Sequence, residues 1–250
     1  MKYTVFSAFV FLFAASSLIA QTSGQFANNG AGPGGFSDEV VRYSNIDIAT
    51  RNQRAKVKLE NVQGSAYTSK TFLPGKLYYN SDFEGNILYR YNAYMEEIEI
   101  KPSDNLEAPV SALNKSKSIN VQTPNGKILS FKTFIDKSGL TQNGYLTELK
   151  KGKFTLYERV DVKYTEGQKA QNSFVPAIPA KFSQFTEYYV EVEGEKRIDQ
   201  LELKPRKLLN LVEEKEKSES LKLYLKENKI NLKNKRDLLT VLDFLNGGAV

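Results

Sequence analysis

LYRYNAYMEEIEIK, Leu88 to Lys101, changes the phase of its own alternation part-way along. Tyr89, Tyr91, Ala93 and Met95 fall on odd positions, with Ile87 just before them, whereas Ile98 and Ile100 fall on even ones. Successive side chains of a strand point to opposite faces, so a single strand cannot hold both sets on one face. The segment therefore reads as two strands meeting at a bulge or tight turn at Glu96-Glu97. Before the slip, Arg90 and Asn92 share the face opposite the tyrosines, and Glu96 would continue that face if the strand ran on. Arg90 with Glu96 is the expected internal ion pair or hydrogen-bonded brace.

Outward from this stretch, period two dominates. Lys56 to Val62 alternates as a half-buried antiparallel strand does. Further strands are predicted at Lys76 to Asn80, Ile119 to Gln122, Lys127 to Ile135, Tyr145 to Leu149, Phe154 to Tyr164, Tyr188 to Val192 and Arg197 to Leu203. Pro124-Asn125-Gly126 and Glu193-Gly194-Glu195 are hairpin signals, because Gly and Asn tolerate the positive φ of tight turns. Many short strands with no helical pattern between them predict a mostly β, α+β chain: an antiparallel barrel or sandwich over residues 41–204. Two loops interrupt it, Pro102 to Ser118 and Thr165 to Ala180.

After Pro205 the period becomes helical. Leu208, Leu209 and Val212 share a face, and Leu221, Tyr224 and Leu225 repeat the i, i+3, i+4 spacing. A last helix is expected to start at Asn234 as N-cap, bury Leu238, Val241, Leu242 and Leu245, and stop at Asn246-Gly247-Gly248. Residues 205–250 thus form a small helical unit, too short to be stable alone, which is expected to pack on the sheet.

At the other end, one Lys2 precedes an uncharged run from Val5 to Ala20, and a polar stretch follows from Gln21. That pattern reads as a secretory signal peptide over residues 1–20, cleaved between Ala20 and Gln21. Residues 21–40, rich in Gly and Asn, read as a flexible linker. No later apolar run is long enough to span a bilayer. With no cysteine in the chain, a lipid-acceptor thiol and a disulfide framework are both absent. The expectation is a secreted or periplasmic protein that is not a lipoprotein. Its formal net charge of +6 over 250 residues includes Lys2 of the leader. Lys and Glu are intermixed and no glycine-rich phosphate loop is found, so nucleic acid is not an expected partner.

The chain also has no histidine. A Ser-His-Asp triad, a Cys-His pair and the usual His or Cys zinc sites cannot be assembled from it. No cofactor or metal is expected. Asn80 to Ile87 places oxygen side chains and a glycine as an EF-hand loop does, but Tyr91 stands where the bidentate glutamate belongs, so a polar β-turn is the better reading. Ser130-Phe131-Lys132 and Ser220-Leu221-Lys222 lack a buried lysine to act as base. Candidate binding residues are Tyr89, Arg90, Tyr91, Asn92, Tyr94 and Glu96. Together with Tyr78 and Tyr79, the tyrosines could form a row of faces that stack on sugar rings.

The runs VQGSAYTSKTFLPGKLYYN and RYNAYMEEIE, with the ending LLNLVEEKEKSESLKLYLKENKINLKNKRDLLTVLDFLN, resemble a group of uncharacterised secreted proteins of Bacteroidetes-type bacteria. The resemblance covers roughly Val62 to Asn246. It implies a sheet-rich body, a Lys/Glu-rich helical tail and an envelope location in a Gram-negative cell, and it brings no activity. The expected function is a non-enzymatic envelope protein acting in protein interaction or scaffolding. The alternatives are a glycan- or small-ligand-binding module on the tyrosine surface and, third, a carboxylate-dependent hydrolase using the Glu96, Glu97, Glu99 cluster.

Overall fold

The computed structural model describes residues 38–45, 62–102, 107–170, 172, 174 and 176–247. Helix α1 (Asp38–Arg42) precedes strands β1 (Ser44–Asn45), β2 (Leu73–Tyr79), β3 (Asp82–Asn92), β4 (Glu97–Pro102), β5 (Ser111–Leu113) and β6 (Ile119–Gln122). Strands β7 (Ile128–Ile135), β8 (Thr141–Lys150), β9 (Phe154–Thr165), β10 (Lys181–Val192) and β11 (Ile198–Gln200) follow. Helices α2 (Pro205–Leu209), α3 (Lys215–Glu227) and α4 (Lys235–Leu245) come last. The expected leader, most of the expected linker and all but Val62 of the strand expected at Lys56 to Val62 lie outside the described residues. The linker was expected to reach residue 40, but Asp38 to Val40 belong to α1, and Val40 is buried.

The phase slip in LYRYNAYMEEIEIK is a hairpin turn. Strands β3 and β4 pair antiparallel from Ile87↔Pro102 to Asn92↔Glu97. Glu96 takes φ +50° in the connection, and the Asn92 side-chain oxygen accepts from the Met95 N–H at 3.0 Å. After the reversal Ile98 and Ile100 rejoin Ile87, Tyr89, Tyr91 and Ala93 in the core.

The strands form one sheet in the order β1-β5-β4-β3-β2-β6-β7-β11-β10-β9-β8, and a further β7–β8 pairing closes β7 to β11 into a ring. Neighbours are antiparallel except β11 and β7, which meet in parallel at Asp199↔Ile135. The result is a mostly antiparallel sheet, partly closed into a barrel, with β6 to β1 running out from it as a wing. Inside the ring pack Phe134, Leu146, Tyr157, Tyr189 and Ile198. A larger core lies between the wing and the opposite half of the β9–β10 pair, where Leu77, Tyr91 and Ile100 share a cluster with Val162 and Phe182.

A short irregular segment ties the wing to β10. Gln63 N–H donates to the Ala180 carbonyl, and Phe182 N–H donates back to Gln63, at 2.9 and 2.8 Å. Tyr67 bridges Asn92 of β3, and Gln184 Nε2 donates to the Ser65 and Tyr67 carbonyls at 3.0 and 2.9 Å. Gly64, at φ +82°, sits between these anchors, and a Cβ there would lie 2.3 Å from the Phe182 carbonyl oxygen. Only glycine can make that approach.

The tail helices lie on the other half of the sheet. Leu208, Leu221, Leu238, Val241 and Leu242 are buried in one cluster with Phe154, Leu156, Tyr188 and Val190. At about 1.5–3 kcal/mol for each large apolar side chain, these contacts explain why helices too short to persist alone are ordered here. Asn234 caps α4, accepting from the N–H groups of Arg236 and Asp237, and Gly247 follows the helix at φ +79°. Asn246 then acts as a strand neighbour to β9: its oxygen accepts from Phe154 N–H at 2.8 Å, and its amide donates to the Phe154 carbonyl at 3.1 Å. Lys235 with Glu158 and Lys150 with Asp243 add ion pairs across the seam. No helix among the described residues is long and apolar enough to cross a membrane.

Candidate functional site

The six residues marked from sequence divide among three surroundings. Tyr89 and Tyr91 point into the core, at 6% and 4% exposure, so they present no sheet surface to a sugar. The odd face of the hairpin is the inner one, which is why the tyrosine row is packing material. Tyr94 is half-buried against Phe182 and Tyr164. Of the wider tyrosine group, Tyr79 stacks on Tyr43 and Tyr78 meets the edge of Phe83.

Arg90 does not pair with Glu96. The hairpin register puts Glu99 directly opposite Arg90, and the Arg90 Nε donates to Glu99 Oε2 at 2.6 Å. Glu96 lies in the turn, off the ladder. Glu99 is almost fully buried and also accepts from Tyr67 OH at 3.1 Å and from Asn92 Nδ2 at 3.5 Å. The Arg90 guanidinium is stacked over the rings of Tyr67 and Phe72, at 4.1 and 4.6 Å. Burial, then the charge of Glu99, push the Tyr67 phenol up to about 12. Each polar group of this brace has a partner inside it, and its chemistry is that of a satisfied internal network.

Glu96 instead reaches the mouth of the five-stranded ring. There Arg159 of β9 donates to Glu96 at 2.6 Å and to Glu187 of β10 at 3.0 Å, with Asp161 at 3.4 Å. Arg159 and Glu187 are cross-strand partners, and both continue the ring-interior faces of Tyr157 and Tyr189. Burial pulls the Arg159 pKa down, but the hydrogen bond and charge of Glu96, with Asp161 and Glu187, outweigh it and hold the guanidinium protonated. A polar cleft of about 470 Å³ opens above this cluster, lined also by Asp136, Gln142 and Gln200. The mouths of small barrels are a common place for ligands. Here, however, three carboxylates converge on one guanidinium, whereas a glycosidase pair faces an open gap of about 5–10 Å. Glu96 and Glu99 are drawn to different arginines, and Glu97 is buried, so that cluster does not assemble one acid–base site. Beneath the cluster, the hydroxyls of Tyr91 and Tyr145 are buried without a hydrogen-bond partner among the described residues. Burial, followed by nearby glutamate charge, raises both phenols.

Sequence reasoning missed Arg159, Asp161 and Glu187, since alternating charges on β9 and β10 do not distinguish a ring interior from solvent. A second cleft, of about 640 Å³, lies elsewhere, between the sheet and the tail helices. Among the described residues no group of His, Cys, Asp or Glu is arranged to hold a metal ion. The chain matches no family model, no curated protein and no solved structure.

Proposed function

We propose that this chain is a non-enzymatic protein of the cell envelope, secreted or periplasmic, that works by binding another envelope protein. The observation that carries the reading is the tip of the β9–β10 hairpin. These strands pair without a break from Phe154↔Val192 to Thr165↔Lys181, and beyond them Gln168 and Ile178 form one more bridge. Ile178 of that bridge is 57% exposed, Phe174 in the loop beyond it is 94% exposed, and Phe185 is exposed on β10 below them. Large apolar side chains left exposed along one hairpin mark interaction surfaces in soluble proteins. An aromatic anchor of this kind typically carries a large share of binding energy.

The leader and the resemblance to secreted Bacteroidetes-type proteins support the envelope placement. The ion-pairing of Arg90 and Arg159 supports a body whose charged clusters brace the fold. The test is recovery of partners from envelope extract with the wild-type chain and with Phe174→Ser/Ile178→Ser. The reading expects a reproducible partner that the double variant loses while its thermal melt is unchanged. It is abandoned if the wild type recovers none, or if the variant recovers the same set.

A further inference from the structure

A cleft of about 640 Å³ runs between the far end of the β9–β10 pair and the helical tail. Its lining is mixed: Phe154, Val190 and Val192 from the sheet and Val212, Phe244 and Leu245 from the helical side supply the apolar part, and charged and polar side chains supply about as much. That volume falls within the roughly 300–1,000 Å³ of small-molecule sites.

The cleft is also preformed. Asn246 spends both ends of its amide on the Phe154 backbone, fixing the end of α4 against the sheet. Leu208 and Leu221 anchor α2 and α3 in the core.

Charge at the rim selects the occupant. Glu193, Glu195, Asp199, Glu213 and Glu214 face it, against Lys153 and Lys217. Two of these acids are committed: Glu214 to Lys217 at 2.8 Å, and Asp199 to Arg197. Glu193 and Glu213 have no ion pair among the described residues, and the carbonyl end of α4 adds partial negative charge beside them. This acidic excess stands on a chain of formal net charge +6, so it is local and opposite to the whole.

We infer that the cleft is a binding site for a small amphipathic organic cation, an apolar body carrying a protonated amine. The apolar part lies on Val190, Val192 and Phe244, and the ammonium group sits between Glu193 and Glu213. This site is distinct from the hairpin tip and from the ring mouth.

The test uses octylammonium chloride as probe and the full chain, with octanoate and octanol as matched controls, followed by calorimetry and by NMR of the methyl groups. Octylammonium is expected to saturate, to shift the methyl signals of Val190, Val192 and Leu245, and to bind at least about tenfold more tightly than octanoate, a difference of about 1.4 kcal/mol. Glu193→Lys/Glu213→Lys changes two exposed side chains, so the thermal melt should hold while octylammonium weakens about tenfold and octanoate improves. Equal binding of the two ions, absence of saturable binding, or shifts scattered away from the cleft would each overturn the inference. So would contacts from Ala249 or Val250 to Phe244 in the ligand-free protein, because the chain would then fill its own cleft.

Discussion

Replacing Arg159 with leucine would leave Glu96, Asp161 and Glu187 facing one another with no cation. Their side chains are 23%, 24% and 26% exposed, so they are mostly but not fully withdrawn from water. Removing one partner of a buried ion pair costs about 3–5 kcal/mol, and the access of water through the cleft places this case near the lower end, about 3 kcal/mol. With a urea dependence of roughly 1–3 kcal/mol per molar, the midpoint should fall by about 1 M or more. The decisive measurement is a double-mutant cycle. Glu96→Gln alone weakens one bond, but in the Arg159→Leu background it also removes a repelling charge. The double variant should therefore be more stable than the sum of the singles by about 0.5–3 kcal/mol. Additive effects, or an Arg159→Leu midpoint equal to wild type, would refute the idea that this cluster locks the β3–β4 turn to the ring.

Gly64→Ala should destabilise by about 2 kcal/mol or more: a positive φ costs a residue with Cβ about 1–2 kcal/mol, and the new atom also displaces the Phe182 carbonyl. Hydrogen exchange at Phe182 and Gln63 should quicken first, and unchanged protection there would count against the tie. Asn246→Ala should cost about 1–3 kcal/mol by orphaning the Phe154 N–H and carbonyl, seen as a lower melting temperature with earlier loss of helical circular dichroism. Tyr67 provides a pH prediction. Its folded pKa of about 12 lies above the free phenol's 10.0, so its contribution to stability is complete below pH 10 and is lost as pH rises through 12. Tyr67→Phe should flatten that part of the alkaline denaturation curve, and identical curves would dismiss the assignment.

The hairpin was legible because parity is a one-dimensional signal. A change of phase between Met95 and Ile98 admits only a bulge or a reversal. The partner of Arg90 was misread because Glu96 continues the face of Arg90 only along one unbroken strand, whereas the chain reverses at Ala93 to Glu96 and sets Glu99 opposite Arg90. Asn234 could be read as a cap because its role is local. Strand β5, three residues within a loop rich in Pro, Asn and Ser, is held by pairing with β4 and β1 and leaves no periodic trace. The first half of β10 was missed because Phe182 faces the core while Phe185 faces water, so its apolar residues sit on both sides. The ring mouth was least legible. Arg159 and Glu187 meet through the β9–β10 ladder, but Glu96 joins them only because the distant β3–β4 turn packs against that pair.

The Gln63 to Lys181 tie has a consequence in time. Gln184 binds Ser65 and Tyr67 across 119 and 117 positions of chain, and Asn246 binds Phe154 across 92. Contacts of such separation slow folding, because the loop entropy is lost before the contact forms. A chain emerging from its N-terminus can zip the β3–β4 hairpin at once, yet it has no Val162 or Phe182 to cover that hairpin until most of its length has appeared. The core beneath that hairpin is therefore completed late, once β9 and β10 have formed.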